Sequence, residues 1–305
     1  MITSPKISVV TVCRNAELYI RECIESVVGQ DYANIEYIIV DGASNDNTLS
    51  IIKEYESKIH CIISEQDTGP ADALNKGFSK ATGDILCWLN ADDKFHPYAL
   101  STVAKLFTDL PKVDWITGFP SWYNAEGTCL NELYIQRTPV FDNYVHDGVY
   151  PHFNRWSKTR FASGDFLAIQ QESVFWRASL WKKAGAKIET GIIAFDFELW
   201  VRFFQWATIY TAPVLLSGFR VHSHQLSEDQ MRYIQECNNI IEQSKKNISI
   251  LARIWASIKI KVAYLFKAFY YIDVPLLGNI YPILMGFPKL IKFNEKQNNF
   301  TIDYI

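Results

Sequence analysis

Residues 6–13 read KISVVTVC, a short β-branched run without helical spacing. Such a run is typical of a strand that is buried on both faces of a parallel sheet. The next stretch, from Ile20 to Val27, carries apolar residues at intervals of three and four, which places them on one face of a helix. These residues therefore predict a central strand followed by an amphipathic helix.

The alternation of strand and helix continues through residue 89. Apolar runs end at Val40, Ser64 and Leu89, and residues that favour turns or helix caps follow them. Strands are predicted at residues 37–40, 61–64 and 85–89, and helices at 49–55 and 72–80. This alternation predicts an α/β fold with a mainly parallel, doubly wound sheet of the Rossmann-like type.

The composition is that of a folded globular protein, because 49% of the 305 residues are hydrophobic and 21% are charged. A formal net charge of -3 argues against nucleic-acid binding, which usually leaves a basic footprint. The six cysteines form no CxxC pair, so they carry no metal signature and are expected to be reduced. The sequence shows neither a signal peptide nor a membrane-spanning apolar run, and a cytoplasmic location is expected.

Acidic and amide side chains collect in the loops that follow the predicted strands. In a doubly wound sheet, ligands bind beyond the carboxyl ends of the strands, where these loops converge. Carboxylates gathered there repel one another unless hydrogen-bond donors or a cation compensate, and Mg2+ or Mn2+ would bind both carboxylates and phosphates. The alternative is that these residues only cap helices and form turns. The residues are Asp41, Asp46, Asp67, Asp72, Asn90, Asp92 and Asp93.

The loop after the first predicted strand reads RNAE, residues 14–17, and contains no glycine. The sequence also lacks a GxGxxG dinucleotide-binding loop at this position and lacks a P-loop. A glycine-rich backbone therefore cannot wrap phosphates here. We expect a metal ion and side chains to bind them instead.

Six segments carry further information in their order and spacing. The first half contains ISVVTVCRNAELYIRECIESVVGQDY from residue 7, IEYIIVDGASNDNT from residue 35 and SEQDTGPADALNKGFSKATGDILCWLNADD from residue 64. The second half contains QQESVFWRASLWKKAG from residue 170, FDFELWVRF from residue 195 and FRVHSHQLS from residue 219. Together they resemble the family 2 glycosyltransferases, which have the GT-A fold. The resemblance implies sugar transfer from a nucleotide-diphosphate sugar, with UDP-sugar favoured, to a hydroxyl of a glycan or lipid-linked acceptor in cell-surface polysaccharide biosynthesis.

The resemblance assigns the first half of the chain to the donor. It implies that Asp41 contacts the nucleobase or ribose and that residues 90–93, NADD, are the DxD-type site for Mn2+ or Mg2+. Asn90 stands where the family usually has aspartate, which removes one ligand charge but keeps an amide oxygen. Leu74 replaces an arginine common in the family, and Lys76 is the expected substitute at the diphosphate. The implied nucleotide-binding set is Thr11, Arg14, Asp41, Asp67, Asp72, Lys76, Asn90, Ala91 and Asp92.

The resemblance assigns the catalytic base to the second half of the chain. Asp196 aligns with the family's base, and Glu198 is a second candidate for the same role. Both belong to the first turn of a predicted helix at 197–204, where the helix dipole favours negative charge. Asp196 could instead only cap this helix.

Further residues of the second half are assigned to the acceptor and the diphosphate. Gln171, Glu172 and Trp200 are implied on the sugar or acceptor side. Arg220 and His222 resemble an RxH element in a polar segment, residues 217–227, that is expected to form a lid over the diphosphate. His222 joins Asp92 and Asp93 in the implied metal set.

The expected reaction is a single displacement at the anomeric carbon with inversion, in which Asp196 takes the acceptor proton. Two alternatives stay open. A sugar nucleotidyltransferase would need a glycine-rich basic loop near the N-terminus, and the sequence has none there. A catalytically weak nucleotide- or glycan-binding module is favoured by Asn90 and opposed by Asp196.

Beyond residue 228 the resemblance ends, and the composition becomes aromatic and basic. A helix is predicted from residue 251, and its apolar face could contact an anionic membrane surface, the catalytic domain or a second copy of the chain. The apolar face is Ile254, Trp255, Ile258, Val262, Leu265, Phe266 and Phe269, with Arg253, Lys259, Lys261 and Lys267 off it. The predicted organisation is a donor-binding half at 1–115, an acceptor-binding half of the same domain at 116–228 and a helical amphipathic extension at 229–305.

Overall fold

A seven-stranded sheet organises the chain in the computed structural model. The structure describes residues 4–119, 121–130, 157–159, 169–223, 225, 229–245, 250–267, 277, 280–285 and 290–303. The strands are β1 (Ile7–Cys13), β2 (Ile35–Asp41), β3 (Cys61–Ser64), β4 (Ile85–Trp88), β5 (Lys94–Phe95), β6 (Trp115–Phe119), β7 (Trp122–Tyr123), β8 (Cys129–Leu130), β9 (Val174–Arg177), β10 (Tyr210–Leu215), β11 (Ser217–Arg220), β12 (Leu290–Asn294) and β13 (Asn299–Asp303). The helices are α1 (Ile20–Val28), α2 (Thr48–Glu54), α3 (Pro70–Phe78), α4 (Ala99–Asp109), α5 (Ala178–Lys183), α6 (Phe195–Phe203), α7 (Gln230–Lys245), α8 (Ile250–Leu265) and α9 (Ile280–Met285).

The strands of the large sheet lie in the order β10-β6-β9-β4-β1-β2-β3. β1 is buried along its whole length and pairs in parallel with β2 and β4, which confirms the predicted central strand. β9 runs antiparallel to both β4 and β6. The mainly parallel α/β sheet is therefore confirmed, and the reversed strand β9 is a feature that the residue pattern does not indicate.

Apolar layers cover both faces of this sheet. On one face α1 buries the side chains that its three-and-four spacing predicts. On the other face α3 packs closely against the sheet because Gly77 has no side chain, and a Cβ there would lie 2.4 Å from Cγ1 of Val10. The second layer also contains an aromatic cluster in which Trp88 and Trp200 stack with ring centroids 5.6 Å apart. These layers hold the strand ends, and hence the loops after them, in fixed positions.

A second sheet of four strands has the order β5-β11-β7-β8. β11 pairs antiparallel with β5, which begins directly after Asp93, and parallel with β7. Its ends, Ser217 and Arg220, are both almost fully buried. The expectation of a polar lid at 217–227 is therefore wrong for residues 217–220, because backbone pairing satisfies their polar groups inside the protein.

The C-terminal region contains strands as well as helices. α7 packs against α6, and α8 packs against α9. β12 and β13 form a hairpin whose Ile291 and Phe300 are buried in the same apolar layer as α4, and the Phe300 N–H donates to Asp109 at 2.8 Å. The extension is thus helical in α7 to α9 but not at residues 290–303. The proposed division after residue 115 falls inside β6.

Candidate active site

The loop after β2 begins at Asp41, which is fully buried at the end of the strand. Its carboxylate accepts hydrogen bonds from the Ser64 hydroxyl at 2.7 Å and from the Ser44 N–H at 3.2 Å. These donors fix the orientation of the carboxylate and compensate part of its charge. Asp41 therefore lies at the edge of the sheet where ligands bind in such folds, and its contact with a nucleobase or ribose stays a prediction.

Asp67 lies directly against Gly42, the residue that follows β2. A Cβ at position 42 would lie 2.3 Å from Oδ2 of Asp67 and 3.5 Å from Cδ of Arg14, so glycine leaves room for both side chains. Arg14 and Asp67 both approach Gly42 at the end of β2. Thr11 differs from them because it is fully buried within β1 and its hydroxyl accepts a hydrogen bond from Tyr37 at 3.2 Å. The structure thus places Thr11 inside the sheet and away from the loops.

Lys76 reaches from α3 to the loop before it, where acceptors surround its ammonium group. The ammonium lies 2.9 Å from Glu65, 2.7 Å from the Gln66 carbonyl oxygen and 3.9 Å from Asp72. The hydrogen bond to Glu65 raises the pKa of Lys76. Asp72 in turn accepts the Thr68 N–H at 3.0 Å. A diphosphate that bound Lys76 would have to take the place of Glu65.

Asp93 is buried below the loop that follows β4 and is 1% exposed. Its Oδ1 accepts the Arg220 N–H at 2.9 Å, and its Oδ2 accepts the Asn90 amide at 3.3 Å. Burial first, and then the charges of nearby carboxylates, raise the pKa of Asp93 well above its usual range. Asp93 therefore ties the loop to β11, and its expected role as a metal ligand stays a prediction.

Asn90 and Gln171 lock the same loop to the short 3-10 turn at Gln171–Ser173. The Asn90 amide donates to the Gln171 side-chain oxygen at 3.0 Å, and the Gln171 amide donates to the Trp88 carbonyl oxygen at 2.8 Å. Ala91, the next residue of the loop, is buried. The structure thus joins Asn90, which is predicted on the donor side, to Gln171, which is predicted on the acceptor side. Their side-chain hydrogen bonds hold this loop in place.

Asp92 of this loop pairs with His222, and both side chains are partly exposed. Nε2 of His222 lies 3.1 Å from Oδ2 of Asp92, and Nδ1 lies 2.7 Å from the Ser223 carbonyl oxygen. The hydrogen bond to Asp92 raises the pKa of His222. Among the described residues, no group of three His, Cys, Asp or Glu side chains is arranged to hold a metal ion by itself. Asp92 and His222 fit an ion that takes its other ligands from a diphosphate, as Mg2+ commonly does.

Arg220 is a structural anchor in this arrangement, with its side chain 1% exposed. Its Nε donates to the Asp92 carbonyl oxygen at 2.7 Å, and Nη2 donates to Glu22 at 2.8 Å. Nη1 donates to the Ala125 carbonyl oxygen at 3.0 Å, and the guanidinium lies 5.0 Å from the Tyr19 ring centroid. The guanidinium is thus engaged by protein groups, whereas the resemblance implies a clamp on the diphosphate.

Asp196 and Glu172 are two carboxyl groups within electrostatic range of each other. Asp196 is in the first turn of α6, as predicted, and its Oδ1 accepts the Phe197 N–H at 2.7 Å. Burial raises the pKa of Asp196 to about 6. Glu172 is 2% exposed, and its Oε1 has no hydrogen-bond partner among the described residues. Burial first, and then the charges of Asp92 and Asp196, raise the pKa of Glu172 to about 8.

Glu198 and Trp200 occupy different environments from Asp196. Glu198 forms an ion pair with Arg202 at 2.7 Å, and Arg202 also donates to the Lys187 carbonyl oxygen at 2.6 Å. Trp200 is 1% exposed and stacks within the aromatic cluster. This placement favours Asp196 over Glu198 as a base and gives Trp200 a packing role.

Three residues near the site are absent from the sequence-based set. Glu22 binds both Arg220 and Lys94, while Tyr233 and Glu236 of α7 contact Asp196 and the backbone before α6. Glu236 and Tyr233 are three residues apart, so they share one helix face. That spacing is a signal in the sequence, but it does not say which element the face meets.

A comparison with known protein families identifies a family for this chain. The model of "Glycosyl transferase family 2" matches residues 8–175, which is more than half of the chain. An uncharacterized glycosyltransferase of Rickettsia prowazekii, RP339, is 26% identical over 243 residues, which is 78% of this chain and 71% of that protein. The putative teichuronic acid biosynthesis glycosyltransferase TuaG of Bacillus subtilis is 38% identical over 132 residues, covering 42% of this chain and 52% of TuaG.

Solved structures share the fold at low identity. TarS residues 1–349 of S. aureus, in complex with UDP-GlcNAc, superpose with a TM-score of 0.57 at 16% identity, covering 98% of this chain and 97% of that one. The mannosyltransferase PcManGT of Pyrobaculum calidifontis, in complex with GDP-Man and Mn2+, gives a TM-score of 0.55 at 16% identity over 93% and 87% of the two chains. The predicted GT-A fold class is therefore confirmed.

Proposed function

We propose, from the premise that this chain belongs to glycosyltransferase family 2, that it is an inverting enzyme of cell-surface polysaccharide biosynthesis. It transfers a hexose or N-acetylhexosamine from a nucleotide-diphosphate sugar, with UDP-sugar favoured, to a hydroxyl of a glycan or lipid-linked acceptor. One observation carries the proposal: Asn90 of the donor-side loop donates to Gln171 at 3.0 Å, and the neighbouring Glu172 is buried within electrostatic range of both Asp92 and Asp196. The donor-side acid and the candidate base therefore belong to one site.

On the donor side, Asp41 and Asp67 contact the nucleoside, with Arg14 beside them. Asp92 and His222 hold the cation, and the diphosphate supplies its remaining ligands. When bound, this cation, Mn2+ or Mg2+, stabilises the charge of the departing nucleotide diphosphate. The 3.1 Å separation of the Asp92 and His222 side chains supports this assignment, because both can face the same ligand.

On the acceptor side, Asp196 takes the proton of the attacking hydroxyl. The hydroxyl oxygen forms a bond to the anomeric carbon while the bond from that carbon to the diphosphate oxygen breaks. The bonding electrons leave with the nucleotide diphosphate, and the anomeric configuration inverts. A pKa of about 6 supports this role, because the carboxylate is ionised at neutral pH and still basic enough to accept a proton.

A catalytically weak binding module is the second candidate. Asn90 favours the binding module, because aspartate is usual at that position. Asp93 also favours it, because its carboxylate is held inside the protein. Such a module would bind UDP but would neither hydrolyse nor transfer the sugar.

The test is a panel of nucleotide sugars, assayed for nucleoside diphosphate release with Mn2+ and then with Mg2+. We expect release from one sugar class and transfer when a matching acceptor is added. Asp196→Asn should leave UDP binding nearly unchanged and reduce transfer by about 10²- to 10⁴-fold. UDP binding without release from any sugar would favour the binding module, and unchanged transfer by Asp196→Asn would reject Asp196 as the base.

The proposal also includes an anionic membrane surface as the partner of α8. Along α8 an apolar stripe faces solvent, with Trp255 70% and Leu265 74% exposed. Ala263 is fully buried, on the opposite side of the helix, against α9. The exposed Lys259 and Lys261 lie at the two edges of the stripe, where they would meet lipid phosphates. Ile254, Ile258 and Val262 complete the stripe, whereas Phe266 packs inward and Phe269 lies outside the described residues.

None of the helices in the described part of the chain is long and apolar enough to cross a membrane, so the proposed contact is peripheral. Vesicles of phosphatidylcholine mixed with phosphatidylglycerol should sediment the protein, and vesicles of phosphatidylcholine alone should sediment less of it. Trp255→Ser should reduce binding, while Trp206→Ser, at an exposed tryptophan outside α8, should not. A concentration-dependent dimer that Trp255→Ser disrupts, without vesicle binding, would identify a second copy as the partner instead.

A further inference from the structure

The helix α7 reaches back to the residues that lead into α6. Its Glu236 accepts the N–H groups of Ile193 at 2.7 Å and Ala194 at 2.9 Å. Arg232, one turn earlier, holds Glu236 at 2.9 Å. A carboxylate at the N-terminal end of a helix is favoured by the helix dipole. α7 therefore fixes the end of α6 that carries Asp196.

Tyr233, on the same face of α7, contacts Asp196 directly. Its hydroxyl lies 3.2 Å from Oδ1 and 3.3 Å from Oδ2 of the carboxylate. Oδ1 also accepts the Phe197 N–H at 2.7 Å. Oδ1 therefore has the closer donors, and Oδ2 is the oxygen with more free acceptor capacity.

We propose that Tyr233 is a positioning residue that orients the Asp196 carboxylate so that Oδ2 receives the proton of the acceptor hydroxyl. This inference rests on the proposed role of Asp196 as the base. Tyr233 keeps its own proton throughout, because burial raises the pKa of its hydroxyl well above its ordinary value. α7 begins at Gln230, so this assignment adds to the site a residue beyond position 228, where the sequence resemblance ends.

Removal of the hydroxyl with Tyr233→Phe tests the proposal. A hydrogen bond to the ionised carboxylate stabilises it, so its loss should lower kcat by about 3- to 10-fold and leave the KM for the donor unchanged. The acid limb of the pH profile should move to higher pH by about half to one unit. The other titratable groups that act on Asp196 are Glu172 from the 171–173 turn and Cys237 from α7, and neither is altered in this variant. Tyr55→Phe, whose hydroxyl donates to Glu25 at the surface, is the matched control.

A second variant keeps the shape of the side chain. 3-Fluorotyrosine at position 233 is a stronger hydrogen-bond donor, so the acid limb should move to lower pH, opposite to the shift in Tyr233→Phe. The 3-fluorotyrosine variant still tests the proposal if Tyr233→Phe does not fold. An unchanged acid limb with 3-fluorotyrosine would overturn the role of Tyr233 while Asp196→Asn remained inactive. Normal transfer by Asp196→Asn would instead reject the base itself.

Discussion

The donor-side and acceptor-side carboxylates differ in how their negative charge is compensated. Burial alone would raise the pKa of Asp46, but hydrogen bonds from Thr48 and from backbone N–H groups lower it overall. Glu172 Oε1 has no hydrogen-bond partner among the described residues, and the burial of Asp196 outweighs its donors Phe197 and Tyr233, so the two pKa values rise to about 8 and about 6. Hydrogen-bond donors therefore hold Asp46, in the donor-side loop after β2, in its charged form. The reacting side keeps carboxyl groups that exchange a proton near neutral pH, as active sites often do.

The largest effect is expected from Glu172→Gln. The quantity to measure is the free energy of unfolding as a function of pH. The folded-state pKa of Glu172 lies above its ordinary value of 4.5. Its neutral carboxyl therefore contributes stability fully below about pH 4.5, and that contribution is lost as the pH rises through about 8. The glutamine variant should thus be more stable than the parent by roughly 2 to 4 kcal/mol at about pH 9, with little difference at about pH 5.

Urea unfolding at both pH values would measure this difference. The control is Glu189→Gln at an exposed position, which should unfold with the same pH dependence as the parent. Parallel stability curves for Glu172→Gln and the parent would show that Glu172 is not held at a raised pKa.

The next effect concerns Asp93, which joins the two sides of the site. Asp93→Ala removes the acceptor of the Arg220 N–H and leaves that group buried without a partner. We expect a loss of about 1 to 3 kcal/mol in the free energy of unfolding. Asp93→Asn keeps an acceptor oxygen and should lose less. Equal losses in the two variants would contradict the anchoring role of the Arg220 N–H bond.

A smaller effect is expected from Gly42→Ala on the donor side. The added Cβ would lie 2.3 Å from Oδ2 of Asp67 and force that side chain to move. UDP binding, measured by calorimetry, should weaken by about 10-fold, or ~1.4 kcal/mol. In an Asp67→Ala background the same substitution should have a much smaller effect, because the two residues interact directly. An equal loss in both backgrounds would mean that the Cβ disturbs something other than Asp67.

The smallest effect is expected from Glu198→Gln, because Glu198 pairs with Arg202 four residues later on α6. We expect a stability loss of about 0.5 kcal/mol in thermal unfolding and transfer within about twofold of the parent. A loss of transfer as large as that of Asp196→Asn would contradict this prediction and assign a role in catalysis to Glu198.

The sequence is most informative where structure depends on local pattern. Strand β3 has the predicted bounds, and β1, β2 and β4 differ from theirs by one or two residues, because burial on both faces leaves a continuous apolar run. The acidic loops at the strand ends follow from the alternation of strand and helix in the same way. The placement of Asp196 in the first turn of α6 follows from the apolar spacing of that helix.

The remaining features depend on contacts between distant residues. Arg220 binds Glu22, which is 198 residues away in the chain, and this pairing redirects a side chain that the motif assigns to the diphosphate. Asp93 is turned inward by the backbone of β11, a strand that occupies residues 217–220 of the expected polar lid. Tyr233 reaches Asp196 through the packing of α7 on α6. Residue type and spacing contain no information about which distant surface such a side chain meets.

The hairpin β12–β13 has a consequence for the order in which the protein folds during synthesis. Ile291 and Phe300 complete an apolar layer whose other members begin at Ile7. A growing chain therefore exposes part of that layer to water until residue 300 has left the ribosome. We therefore expect a chain that ends before the hairpin to be less stable than the full chain, because its apolar layer lacks Ile291 and Phe300.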